Sequence, residues 1–233
     1  MVFFAAAVVL FAGDAVVFLA TVFDAAVFFA PDAAVFLAAA VLLAPAFVAA
    51  VFVAAVFVVF HFSLPAGSSR LAASGLLWVA IVFTALLGLA RAFSAEREQS
   101  VLDGLVLATR DLSAIWFGKA LSILAFLALA EVVALPVFGL FFGRVELRTV
   151  GAVALADLGI AAVGTLLAGM AAASRARELL LPLLFLPLVI PLVIGGVGAT
   201  VADHPSSYLG LLALYDAVFG LVAWGSFAYV VAE

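Results

Sequence analysis

The chain has 233 residues, of which 70% are hydrophobic and 10% charged, with a mean hydropathy of +1.48 and a formal net charge of −5. A soluble domain is nearer half apolar and a quarter charged, so this composition excludes an ordinary soluble globule, and the small acidic balance argues against a nucleic-acid partner. The absence of cysteine excludes disulfides, thiolate metal sites and thioether-attached cofactors.

A bilayer core about 30 Å thick needs about 20 apolar residues per helix. The apolar runs here are continuous rather than alternating, the pattern of helices and not of a barrel. The expectation is an all-α, polytopic transmembrane helix bundle of about six spans joined by short loops. The N-terminus lacks a basic region of the kind that precedes a cleavable signal, so the spans themselves are expected to target the chain.

In chain order, the first 60 residues stand apart. Ala, Val and Phe make up 47 of them, and no Lys, Arg or Glu precedes Arg70. The phrase DAVVF at Asp14 returns as DAAVF at Asp24 and Asp32, with spacings of 10 and then 8, which is low complexity rather than a structural repeat. Residues 2–12 are too short to span. Residues 15–40 are apolar enough for an extra helix but are interrupted by Asp24, Pro31 and Asp32. The chain therefore divides into a low-complexity segment, 1–40, and a transmembrane domain, 41–233, whose first span covers 41–60.

Further runs cover 72–90, 119–142, 150–172, 179–200 and 209–231. The breaks GRVELR (143–148), SRARE (174–178) and DHPSSY (203–208) carry charges or Pro/Ser turn chemistry. Orientation follows from Lys and Arg. With residues 91–118 on the cytoplasmic side, Arg91, Arg97, Arg110, Lys119, Arg175 and Arg177 lie inside, and Arg70, Arg144 and Arg148 lie outside. That is six cations against three, and it places Glu233 inside.

The stretch ARAFSAEREQSVLDGLVLATRD, residues 90–111, is a polar island in an apolar chain. Leu89, Phe93, Arg97 and Val101 share one helical stripe, and Leu102, Leu105 and Val106 another. Gly104 breaks the run, and Thr109 or Asp111 supplies a cap for the helix that follows. Two short amphipathic helices on the membrane face fit this pattern. So does a solvated loop whose charges only set orientation.

At these residues a likeness emerges. GLLWVAIVFTALLGLARAFSAEREQSVLDGLVLATRDLSAIWFGKAL (75–121), ASRARELLLPLLFLPLVIPLVI (173–194) and FHFSLP near residue 60 resemble the haem exporter protein B family of cytochrome c maturation. The resemblance covers roughly residues 55–233. It implies the membrane permease subunit of an ABC-type complex, with an ABC-2-type exporter domain in the bacterial inner membrane. The implied partners are a cytoplasmic ATPase subunit, other cytochrome c maturation membrane proteins and the bilayer. Haem enters only as a transported or handled ligand.

By the same resemblance, segment 91–118 is a coupling segment that docks on the ATPase. Glu96, Arg97 and Glu98 match its acidic motif, and Phe93, Leu102 and Leu105 are its apolar anchors. A small apolar core with a charged rim transmits a rigid-body push. Departures from the family are Ser100 where Gly is usual, Thr109 where Pro is common, and a cation-free N-terminal tract where a basic amphipathic stretch is usual. The expectation is that a misread frame or a wrong start accounts for that tract. Peptide mass spectrometry of the native protein would then not find residues 1–50 as written.

No phosphate-binding G-x-x-x-x-G-K-[ST] loop occurs, since GKA at 118–120 lacks the upstream Gly and the Ser/Thr, so nucleotide hydrolysis needs a separate subunit. Glu131 and Asp157 fall inside predicted spans, where acids are costly and mark either function or a hydrogen bond to a neighbouring helix. They leave open a proton-coupled secondary transporter, beside an ABC-2-type permease for another lipid-like or drug substrate. His61 and His204 fall on the predicted outer side, as haem-iron ligands or plain interfacial residues. Pro182, Pro187 and Pro191 in one span, followed by Gly195, Gly196 and Gly198, suit a bending helix or a static kink. Trp78, Trp116 and Trp224 are candidate interface anchors, Trp116 best placed.

Overall fold

The computed structural model describes residues 33–63, 70–92, 112–172, 174 and 176–232, and every element among them is a helix. These are α1 (Ala33–Ser63), α2 (Arg70–Arg91), α3 (Leu112–Phe142), α4 (Leu147–Ala172), α5 (Arg177–Val201) and α6 (Pro205–Ala232). Each contains a stretch long and apolar enough to cross a bilayer, so the chain is a multi-pass membrane protein.

The helices overrun the expected spans where nothing stops them. α1 starts at Ala33, just after Pro31 and Asp32, and so crosses the boundary expected at residue 41. α3 starts at Leu112, so the last part of the island is already helix continuous with the third span. α6 starts at Pro205, where a missing N–H costs nothing in a first helical turn. α5 stays one helix through Pro182, Pro187 and Pro191. The α3–α4 turn is four residues and opens at Gly143, whose φ of +107° is a conformation that side chains with a Cβ rarely adopt.

α4 is the axis of the bundle. Some 67% of its span is buried, against 17% of the span in α6, and it packs on α2, α3, α5 and α6. Its inward positions are mostly small: Ala152, Ala156, Ala161, Ala168 and Ala171. In lipid no hydrophobic drive pulls helices together, so close approach of backbones supplies the attraction, and small residues permit it. Outward positions carry large apolar side chains instead. Phe47, Leu140, Leu183 and Leu221 are all exposed, as a lipid-facing surface requires.

α5 settles against α2 and α6 by the same means. A Cβ at Gly196 would overlap the Trp78 indole of α2, and one at Gly198 would overlap the Tyr208 ring of α6. The glycine row thus receives rings from two neighbours. Trp78 is 1% exposed, and its Nε1 donates to Thr200 Oγ1 (3.4 Å). The anchor expectation needs correction here. Trp78 and Trp116 are both buried in the bundle, and only Trp224 is well exposed. Position near a span end predicts an anchor, but the face of the helix decides it.

Two sets of contacts show which helix ends lie together. Lys119 Nζ donates to the Ala92 carbonyl (2.6 Å), joining the end of α2 to the start of α3. At the opposite end, Glu146 meets Arg70 Nη2 (3.3 Å) and Arg148 Nε (2.6 Å), and Arg148 Nη1 donates to the Ala202 carbonyl (2.9 Å). The chain lacks cysteine, so single-cysteine labelling is unambiguous. Ser174→Cys and Ser207→Cys are expected to react with an impermeant maleimide from opposite sides of the membrane. Reaction of both from one side would refute this arrangement.

Candidate functional site

Among the described residues, four polar places interrupt the apolar bundle: a carboxyl pair at mid-helix, the Asp216 carboxyl of α6, the Lys119 end and the Arg70 end.

The carboxyl pair comes from α3 and α4. Glu131 and Asp157, both expected from the sequence, face each other between α3 and α4. Asp157 is 3% exposed, and Glu131 Oε1 and Asp157 Oδ1 are buried without a hydrogen-bond partner. Glu131 also lines a cavity of about 10 Å³ between α1, α2 and α3, whose other walls include Val53, Phe57, Leu77 and Thr84. That volume is near the lower limit for one water molecule and holds no larger ligand.

A third intramembrane acid was missed. Asp216 of α6 has both carboxyl oxygens buried without a partner, and Oδ1 lies 2.5 Å from where a Cβ on Gly159 of α4 would stand. The rule that flags Glu131 and Asp157 also flags Asp216, since LYDAVF sits inside the last apolar run. Its neighbour Tyr215 donates to the Leu188 carbonyl of α5 (2.9 Å). Among the described residues no three His, Asp or Glu side chains gather as a metal site requires.

The Lys119 end holds the two roots of the polar island. α2 ends at Arg91 and α3 starts at Leu112, and the Lys119–Ala92 bond ties them side by side. A cation on the last carbonyls of α2 also complements the helix dipole. The expected coupling residues Phe93, Glu96, Arg97, Glu98, Leu102 and Leu105 lie outside the described residues.

The Arg70 end carries a cleft of about 50 Å³ where the ends of α2, α3, α4 and α5 converge. Arg70 and Ser74 from α2, Phe142 from α3, Arg144 and Glu146 from the turn, and Thr200 from α5 line it. His61, at the end of α1, sits beside this cleft with its ring against Phe141 (5.1 Å) and Phe142 (5.8 Å). His204 lies between α5 and α6 at the same end of the bundle.

Comparison with known proteins matches residues 40–232 to the family model described as CcmB protein. The chain is similar to heme exporter protein B of Bradyrhizobium diazoefficiens, at 33% identity over 164 residues, covering 65% of this chain and 73% of that one. It is 31% identical over 170 residues to heme exporter protein B of Paracoccus denitrificans, covering 70% and 78%. The corresponding protein of Pseudomonas aeruginosa is 35% identical over 133 residues, covering 55% and 59%. No solved structure matches the chain.

Proposed function

The chain belongs to the CcmB protein family, and from that premise we propose that it is the membrane permease subunit of an ABC-type complex acting in cytochrome c maturation. It couples ATP hydrolysis by a separate subunit to haem export or to release of a haem-loaded chaperone. The observation that carries this reading is the match over residues 40–232, which takes in every described span except the first turns of α1. Relatives named heme exporter protein B at 31–35% identity supply the cargo. The work of this chain is conformational, since it holds no nucleotide loop. The match favours this reading over a proton-coupled carrier or a permease for an unrelated substrate.

In this proposal the Lys119 end faces the cytoplasm of the bacterial inner membrane, which follows the excess of Lys and Arg flanking it. The island between α2 and α3 is then the docking surface for the ATPase. Its roots at Ala92 and Leu112 support this, because a segment fixed at both ends to packed helices passes a push into the bundle.

The test is co-purification in mild detergent with the ATPase encoded beside this chain. Wild type is expected to retain the ATPase, and Glu98→Lys and Phe93→Asp are each expected to lose at least tenfold of it, with expression and helicity unchanged. A buried aromatic anchor and a reversed rim charge each typically cost an interface this much or more. Normal retention by both variants would overturn the docking role, and failure of wild type to bring down any ATPase would overturn the complex.

A further inference from the structure

Hydroxyl groups inside this bundle follow one habit. Thr84, Thr165 and Thr200 each return their Oγ proton to the carbonyl four residues back, at 2.6–2.9 Å, as does the exposed Ser63 at the end of α1. This is the usual way for a hydroxyl to be satisfied in lipid. Ser74 departs from it. It is 1% exposed, its Oγ has no partner, and it lines the cleft at the Arg70 end.

The rest of the cleft explains what that hydroxyl awaits. Arg70, Ser74 and Trp78 recur every four residues, so guanidinium, hydroxyl and indole form one column down α2. Three cations stand at this end: Arg70, Arg144 and Arg148. Glu146 and Asp203 are the described acids there, and Glu146 is bound most closely by Arg148, which is turned toward Ala202. Arg70 touches Glu146 only at 3.3 Å with its side chain 76% exposed. Arg144 has no partner among the described residues, and Gly143, with its positive φ, turns the chain there.

Beside the charges stands an aromatic wall. Phe138 and Phe142 are stacked (5.1 Å) with Phe57 edge-on to both. Outward of them His61 contacts Phe62, Phe141 and Phe142, and Phe62 is 74% exposed. A volume of about 50 Å³ admits a carboxylate but not a large ring, which must lie outside, on the exposed aromatic rim.

We propose that this cleft binds the carboxylate of a planar aromatic acid, with Arg70 and Arg144 as counter-ions, Ser74 Oγ as hydrogen-bond donor and the ring laid on the His61–Phe62–Phe141 face. Guanidinium groups suit a carboxylate because their paired N–H donors match its two oxygens. Given the function proposed above, the acid is a porphyrin bearing carboxylate arms. The choice of a porphyrin rests on that reading, and the anion site does not.

The test uses the full chain in neutral phosphatidylcholine nanodiscs and metal-free protoporphyrin IX, followed by its fluorescence. Omitting iron removes any contribution from histidine ligation. Wild type is expected to bind the diacid at least tenfold more tightly than its dimethyl ester. Ser74→Ala and Arg144→Gln are each expected to lose about tenfold, the usual worth of a hydrogen bond to a charged group, and Arg144→Lys is expected to recover part of it. Arg144 is exposed at a turn, so its variants keep the fold, and the ester comparison needs no variant at all.

Equal binding of diacid and ester, no binding of either, or unchanged affinity in both variants would overturn the proposal. Loss of binding when phosphatidylglycerol replaces part of the neutral lipid would assign the cleft to a lipid phosphate and overturn it equally. The ATPase co-purification separates the two readings, since that complex can fail while diacid binding persists, and the reverse.

Discussion

Trp78→Ala is expected to be among the most damaging single substitutions in the bundle, at about 3–5 kcal/mol, the usual cost of truncating a buried large aromatic. The indole is 1% exposed and fills the space left by Gly196 of α5, and its Nε1 reaches Thr200 on the same helix. One side chain therefore joins α2 to α5 by shape and by a hydrogen bond. The reciprocal change, Gly196→Ala, puts a methyl where the ring now lies and is expected to cost about 1–3 kcal/mol by overpacking. Together the two are expected to cost less than their sum, because the added methyl occupies part of the space the ring vacates. Loss of the monodisperse peak after stepwise heating in detergent orders the four proteins. Strict additivity would show that the ring and the glycine do not share the space described.

Removing one carboxyl of the mid-helix pair is expected to harm the protein more than removing both. In Asp157→Leu the Glu131 carboxyl keeps its buried Oε1 unpartnered and loses the one polar group that faces it from α4, a cost of about 1–3 kcal/mol. Glu131→Leu leaves Asp157 in the same state. The double variant replaces both polar groups with apolar ones of similar size and is expected near wild-type stability, giving a coupling of about 0.5–3 kcal/mol in the cycle. Asp157→Asn keeps a donor toward Glu131 and is expected to lose little. The double variant also separates structure from function. If the pair only joins α3 to α4, cytochrome c assembly in cells carrying it continues. A folded double variant that no longer supports assembly would show that these acids act during transport, and the proton-coupled reading would return.

Much of the architecture was legible in the sequence because a bilayer imposes its length on every span. Apolar runs of 20 or so residues and short charged breaks are properties of neighbouring residues, and they located α2 to α6 to within a few positions. The apolar run put the third span at 119, but the start of α3 at Leu112 falls directly after Asp111, one of the two caps read from the sequence for a helix running on into the membrane. Asp216 was legible by the rule that found Glu131 and Asp157. The coupling residues from Phe93 to Leu105 were reached through family likeness, and they lie outside the described residues.

By itself, then, the sequence determined that this chain spans the membrane about six times, carries no nucleotide loop, and keeps a polar island at the cation-rich side. Tertiary structure alone decided which polar groups meet. Glu131 and Asp157 are 26 positions apart, and Ser74 is 70 positions from Arg144. Local pattern says that each faces inward or outward, but not what it faces. Burial of Trp116 against lipid exposure of Trp224 was settled the same way. Hydropathy is summed along the chain, whereas hydrogen-bond satisfaction and cavity shape depend on which helices the close approach of small residues brings together.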